Sequence, residues 1–160
     1  HLIDLGCGTG LAGVALAGLA SRLTGVDLSG AMLERAKATG AYANLVQLDL
    51  VSALQAQADG VAEAAVAVDV LVYVGVVESV FAELKPVLAI DGVLIATFEE
   101  GDHIEDWDLS AAGRYRHTED YLRKTAANAG LEVISISRTS LREEYEVPVP
   151  SLIATFQKRG

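Results

Sequence analysis

Three glycines at alternate positions, Gly6, Gly8 and Gly10, follow an apolar run that carries one acid, Asp4. Glycine reaches φ > 0 and has no Cβ, so such a loop turns sharply from a strand into a helix and lets a ligand lie against its backbone. Unsatisfied N–H groups at the start of the following helix favour polar or anionic groups. The chemistry this loop suits is the holding of a nucleotide-type ligand at the edge of a parallel sheet. A second acid, Asp27, closes the short apolar run 23–27, one helix and one turn further on. An ionised carboxylate there accepts from both hydroxyls of a ribose. It repels a 2′-phosphate, which disfavours NADP without excluding NAD. A third acid, Asp49, closes the run 45–49. Alone, Asp27 fits a turn acid ahead of the cap residue Ser29, and Asp49 fits a helix cap. Three strand-end acids in succession are harder to obtain by chance.

Two glycine patterns overlap in this loop. Residues 8–13 fit the G-x-G-x-x-G of dinucleotide-binding proteins, whereas residues 4–10 read D-x-G-x-G-x-G. Starting from Gly8 leaves Asp4 and Gly6 unexplained; starting from Asp4 uses every residue. The second pattern, with Asp27 and Asp49 at the next strand ends, resembles the class I (Rossmann-like) S-adenosylmethionine-dependent methyltransferases, and the resemblance runs along essentially the whole chain. It implies S-adenosyl-L-methionine as cofactor, S-adenosyl-L-homocysteine as product, and methyl transfer to a small-molecule acceptor. It also implies a cofactor site built from Asp4, Gly6, Cys7, Gly8 and Gly10. Asp27 would then serve the ribose and Asp49 the adenine amino group, with Leu28, Met32 and Leu50 as walls of the adenine slot. Met32 fits ordinary helix core equally well. Two further segments, 69–75 (DVLVYVG) and 113–118 (GRYRHT), resemble a bacterial subgroup, the tetratricopeptide-associated methyltransferases. In that subgroup an acid commonly follows the glycine of the first segment, where Val76 stands here.

Acceptor residues are expected after the fourth and fifth strands, because open α/β sheets bind ligands beyond the carboxyl ends of their strands. Asp69 and Tyr73 follow the fourth strand and are candidate catalytic side chains. His117 is the candidate general base, since histidine titrates near neutrality. Each has a plainer role open to it: a cap acid, a packed aromatic, a surface histidine ahead of the cap residue Thr118. The connection 99–117 is long enough to be a lid or binding loop and is rich in polar and aromatic groups. Glu99, Arg114 and Tyr115 are its candidate substrate residues. Arg114 could clamp an acidic group bidentately or simply offset the acids of the loop. His103 and Trp107 receive no role. Nothing in the sequence has metal-ligand spacing.

These side chains need a scaffold. The 160 residues are 51% hydrophobic with 15 glycines, which suits one domain with a sheet buried on both faces. The expected fold is α/β: a Rossmann-like three-layer sandwich with a seven-stranded, mostly parallel sheet and an antiparallel last strand. Helices are expected after Gly10 to about residue 21, from the cap Ser29 to Gly40, over 52–57, over 76–84 and from the cap Thr118 to Gly130. Later strands are expected at 63–72, 92–98, 131–140 and 151–158. The last two are close in sequence with no helix between them, so the final strand must reverse. The domain is expected to be a methyltransferase core over 1–160, without the N-terminal helices of the resembled family.

Net charge is −10, from 12 basic and 22 acidic residues, which argues against a nucleic-acid partner. Apolar runs are too short to cross a membrane. The lone cysteine excludes an internal disulfide, and the cytoplasm is the expected compartment. Two other readings stay open: an NAD-dependent oxidoreductase, kept by residues 8–13, and a non-catalytic S-adenosylmethionine-binding module.

Overall fold

The structure, a computed structural model, describes all residues except 103, 104 and 145. His103 therefore lies outside the described residues. Along the chain the elements are β1 (Leu2–Leu5), α1 (Leu11–Leu16), β2 (Leu23–Asp27), α2 (Gly30–Ala38), β3 (Asn44–Gln47), α3 (Leu50–Gln55) and β4 (Ala62–Ala67). A 3-10 turn (Leu71–Tyr73) follows, then α4 (Glu78–Val87), β5 (Leu88–Glu100), β6 (Trp107–Leu109), β7 (Tyr115–His117), α5 (Glu119–Ala129), β8 (Leu131–Glu144) and β9 (Val147–Lys158).

The sheet runs β3-β2-β1-β4-β5, and all these neighbours pair in parallel. β9 joins antiparallel to β5, from Val93↔Gln157 to Glu99↔Ser151, and β8 pairs antiparallel with β9. These seven strands form the expected sheet with its reversed last strand. The four residues of β1 are buried and apolar except for Asp4, as a strand covered on both faces requires. α3, α4 and α5 pack together on one face. Phe81 and Phe156 meet edge-on there, centroids 4.9 Å apart, and Leu122 and Ala126 of α5 are fully buried. Helix ends follow the sequence closely. The Ser29 and Thr118 hydroxyls accept from Met32 and Tyr121 N–H, and Gly130 closes α5 at φ 74. No described helix is long and apolar enough to cross a membrane.

Several boundaries depart from the sequence reading: β5, β8 and β9 run longer than expected, and three further departures have a local cause or marker. β4 ends at Ala67 rather than running to 72, because Asp69 turns to φ 54 and its N–H is taken by Thr97 Oγ1 at 2.8 Å. α1 has six residues, carries no side-chain cap at Gly10 and stops at Leu16. α4 holds Pro86 in its last turn and ends one residue beyond it. Residues 107–117 of the connection 99–117 form regular structure rather than an open loop. β6 and β7 form an antiparallel hairpin, and β7 continues the sheet beside the end of β5 through Glu99↔Arg116 and Glu100↔His117.

Candidate functional site

The loop after β1 holds Gly6, Gly8 and Gly10 at φ 73, 52 and 90. The N–H groups of Gly6 and Cys7 both donate to the Val26 carbonyl, at 2.8 and 2.9 Å, so the loop hangs from β2. A Cβ at Gly6 would run into the Val70 side chain, whereas one at Gly8 would meet nothing within 4 Å. Packing therefore excludes a side chain at Gly6, and open space lies in front of Gly8. That space belongs to a cavity of about 580 Å³, within the range of small-ligand sites. The glycine loop gives it Gly6, Gly8 and Thr9; the end of β2 and start of α2 give Asp27, Leu28, Ser29 and Met32. Leu48 comes from the link after β3 and Leu50 from the start of α3, and Asp69, Val70, Tyr73 and Val74 come from the turn after β4. Leu28 and Met32 are 69% and 39% exposed, so both form the cavity rim and Met32 is not helix core.

Asp27 does two things at once. Its Oδ2 accepts from the Gly8 N–H at 2.9 Å and its Oδ1 from the Ser29 N–H at 2.8 Å. A carboxylate offers about four lone-pair sites, so it ties the glycine loop to β2 and keeps capacity for hydroxyls of a ligand.

The other sequence candidates divide by position. Asp4 is 1% exposed and lies beneath the loop rather than among the cavity residues. Its Oδ2 accepts from the Tyr42 hydroxyl at 2.6 Å, and that hydroxyl accepts from the Gly13 N–H at 3.1 Å. Burial raises the pKa of Asp4, the Tyr42 hydrogen bond opposes the rise and the charge of Asp27 adds to it. The Tyr42 phenol is pushed far up by burial and by its bond to Asp4. Its ring fills the space where Cβ atoms of Gly10, Gly13 and Gly25 would stand. Gly13, the last glycine of the dinucleotide pattern, thus makes room for an aromatic ring, and its N–H is spent on Tyr42 rather than left for a phosphate. Sequence reasoning missed Tyr42, which follows α2 with no local pattern to mark it.

Cys7 packs with Leu33 and Ala36, and burial pushes its thiol up to about 12, so it is a packing residue. Asp49 caps α3, its Oδ1 accepting from the Ser52 N–H at 2.9 Å. Hydrogen bonding from the Ser52 hydroxyl, and then from its N–H, holds the Asp49 carboxyl below the usual range. Leu48 and Leu50 on either side of it line the cavity, and Asp49 itself does not.

At the far end of the cavity, residues distant in sequence converge. Arg114 donates from Nε to Glu99 and from one terminal nitrogen to Asp69. Its other terminal nitrogen donates to the Tyr73 hydroxyl at 3.0 Å, with the guanidinium 5.2 Å from the centre of the Tyr73 ring. Glu99 also accepts from Arg142, at 2.6 Å. Asp69, Tyr73, Arg114 and Glu99 are therefore one cluster. Tyr115 serves it indirectly: its ring lies over Gly75, where a Cβ would approach within 2.6 Å, and it meets Trp107 edge-on at 5.4 Å.

His117 is the clear correction. It is fully buried, stacked on Tyr121 and edge-on to Phe98. Its Nε2 pairs with the Gly75 carbonyl at 3.0 Å, while Nδ1 has no hydrogen-bond partner among the described residues. Burial lowers its pKa. The two-residue alternation of β7 turns Tyr115 and His117 inward, so a histidine that looked like a surface base supports the turn after β4 instead.

Residues 3–96 match a family described as a methyltransferase domain. No curated protein matches the chain. Solved structures do. An S-adenosylmethionine-dependent methyltransferase from Methanosarcina mazei is 17% identical with a TM-score of 0.79, over 99% of this chain and 92% of that one. The [4+2]-cyclase SpnF is 19% identical with a TM-score of 0.84, over 99% and 75%. The 1,6-didemethyltoxoflavin-N1-methyltransferase of Burkholderia thailandensis, solved with 1,6-didemethyltoxoflavin and S-adenosylhomocysteine, is 18% identical with a TM-score of 0.78, over 99% and 71%. At these identities the likeness is one of fold, and fold alone does not choose a reaction. The family match is of another kind: it runs unbroken from β1 through Asp27 and Asp69 to β5, and so contains every residue that lines the cavity. The chain belongs to the methyltransferase domain family and is an S-adenosylmethionine-dependent methyltransferase.

Proposed function

We propose that the acceptor is a small molecule and that Asp69, Tyr73 and Arg114 receive it beside the cofactor cavity. The observation that carries this reading is the convergence on Arg114 of two cavity residues, Asp69 and Tyr73, with Glu99 from the end of β5. The open space at Gly8 and the two-oxygen anchor of Asp27 suit a nucleoside cofactor, and Leu28, Met32, Leu48 and Leu50 give its base an apolar slot. When bound, the cofactor supplies an activated sulfonium methyl group.

The protein's part is alignment and proton transfer. The acceptor atom gains a methyl group and gives up one proton, for which the exposed Asp69 carboxylate that lines the cavity is the proposed acceptor. The Tyr73 oxygen accepts from Arg114, which turns its own hydrogen away from the guanidinium and leaves it to orient the acceptor. Arg114 is a positioning residue that holds both. The segments 69–75 and 113–118 meet through Asp69–Arg114, Gly75–Tyr115 and Gly75–His117. The small-molecule acceptor bound in the Burkholderia structure and the acidic balance of this chain support the acceptor class.

Two assays test this reading. Calorimetric titration with S-adenosylhomocysteine, with NAD in parallel, should show binding of the first alone. Product formation should then appear with a pool of small amines, phenols and carboxylic acids. Methylation of bulk tRNA or protein, with no turnover of the pool, would overturn the acceptor class.

A further inference from the structure

We propose that a second cavity, of about 760 Å³, is the acceptor chamber, and that it selects a small molecule with an apolar body and a basic nitrogen. This rests on the methyl-transfer reading above. The volume falls within the roughly 300–1,000 Å³ of small-ligand sites. The chamber opens at the carboxyl end of β5, on Glu99 and Glu100, one strand over from the end of β4 that gives Asp69 to the cofactor cavity. Its opposite wall comes from the β6–β7 turn (Ala111, Ala112) and the start of β9 (Val147 to Pro150).

The two cavities meet through side chains. Glu99 lines the second, Asp69 and Tyr73 line the first, and Arg114 bonds to all three. Arg114 thus links the two cavities, and in this proposal the acceptor extends from the second cavity along Arg114 towards Asp69.

Charge decides the ligand class. The ion pairs form a ladder, Asp69–Arg114–Glu99–Arg142–Glu144, with three carboxylates and two guanidiniums. Its end at Asp69 is open to solvent, the side chain 63% exposed. Elsewhere on the wall, Arg138 is shared between Glu100 and Glu119 at 2.7 and 2.9 Å, and Arg116 is held by Asp108. Every guanidinium at the chamber therefore already has a carboxylate, and three of them have two. An anionic ligand would have to displace one of these, and at Arg114 or Arg142 it would weaken the pairing of Glu99, whose side chain is 6% exposed. The ladder carries one carboxylate more than guanidiniums, and a cation at its exposed Asp69 end balances that charge without displacing a carboxylate. Pro148 and Pro150 add to the bias, since proline offers no N–H donor to an anion.

The test uses matched probes on the whole chain saturated with S-adenosylhomocysteine: 2-phenylethylamine as cation and 3-phenylpropionate as anion. Calorimetry reads affinity. Fluorescence of Trp107, the one tryptophan, reads the hairpin that lines the chamber. The amine should bind at least about tenfold tighter than the acid, equivalent to about 1.4 kcal/mol. Asp69→Asn, a residue type that tolerates a positive φ, should bring the preference close to unity. Ala112→Phe, which narrows the chamber from an exposed turn, should lose amine binding, with S-adenosylhomocysteine affinity as the folding control. Preference for the acid, or amine binding indifferent to Ala112→Phe, overturns the inference and leaves methyl transfer standing. Failure of S-adenosylhomocysteine to bind the parent chain overturns the methyl-transfer reading and this inference with it.

Discussion

Replacing Tyr42 by Phe removes one oxygen and keeps the ring that packs over Gly10, Gly13 and Gly25. Two hydrogen bonds go with it: donation to Asp4 at 2.6 Å and acceptance from the Gly13 N–H at 3.1 Å. A hydrogen bond to a charged group contributes about 1.5–3 kcal/mol and a neutral one about 0.5–1.5 kcal/mol. With Asp4 almost wholly buried, we expect a loss of about 3 kcal/mol, which for a domain of this size lowers Tm by about 6–12 °C. The loss should depend on pH with a definite sign. Asp4 already has its pKa raised above 3.8 by burial, against the pull of Tyr42. A carboxyl with a raised folded-state pKa binds its proton more tightly when folded. Its burial cost is thus absent below the unfolded value and grows as pH rises through the folded one. Removing the Tyr42 bond raises the folded value further, so the deficit of the variant should be smallest below 3.8 and widen above it. Urea and thermal unfolding from about pH 3.5 to about pH 8 measure this. S-adenosylhomocysteine affinity should fall about tenfold, because the strut from Asp4 to Gly13 lies under the glycine loop. A variant that melts with the parent, or a deficit flat across that range, would refute the strut.

Gly8→Val places a branched side chain in the cofactor space at a backbone φ of 52, and calorimetry should show S-adenosylhomocysteine affinity reduced at least about 100-fold. Asp27→Asn leaves one acceptor oxygen for the two N–H groups of Gly8 and Ser29. At about 1–3 kcal/mol for a group left unsatisfied, affinity should drop about 10- to 100-fold with native circular dichroism retained. His117 has its pKa lowered from 6.5 by burial, so the unfolded chain takes up the proton first. Unfolding free energy should therefore decline as pH falls below about 6.5, fully present above it, in wild type and not in His117→Gln. Loss of that decline in wild type would show the ring to be solvated.

Local chemistry made much of this protein legible. The glycine loop, the caps at Ser29 and Thr118, the stop at Gly130 and the reversed last strand each depend on a few neighbouring residues. The strand-end acids show where that legibility ends. Asp4, Asp27 and Asp49 look alike in the sequence, each an acid at the end of an apolar run. Asp4 stands one residue before the end of β1, Asp27 is the last residue of β2, and Asp49 lies two beyond the end of β3. Those steps of one or two residues send the first under the loop, the second to the cavity and the third to a helix cap. The same period of two separates His117, turned into the core, from Arg116, which pairs with Asp108 at the hairpin's other face.

What remained hidden is long-range. Tyr42 reaches Asp4 across 38 residues, and Arg114 reaches Asp69 across 45; no window of sequence contains either pair. Both contacts act on the turns that border the cofactor cavity, one beneath the glycine loop and one beside the turn after β4. The fold supplies the strand ends, but the shape of the site between them is set by two side chains arriving from elsewhere in the chain. Substitutions at Tyr42 and Arg114 should therefore alter binding more than their distance from the sequence motifs suggests, whereas changes at Leu11 and Val14, exposed residues of α1, should alter it less.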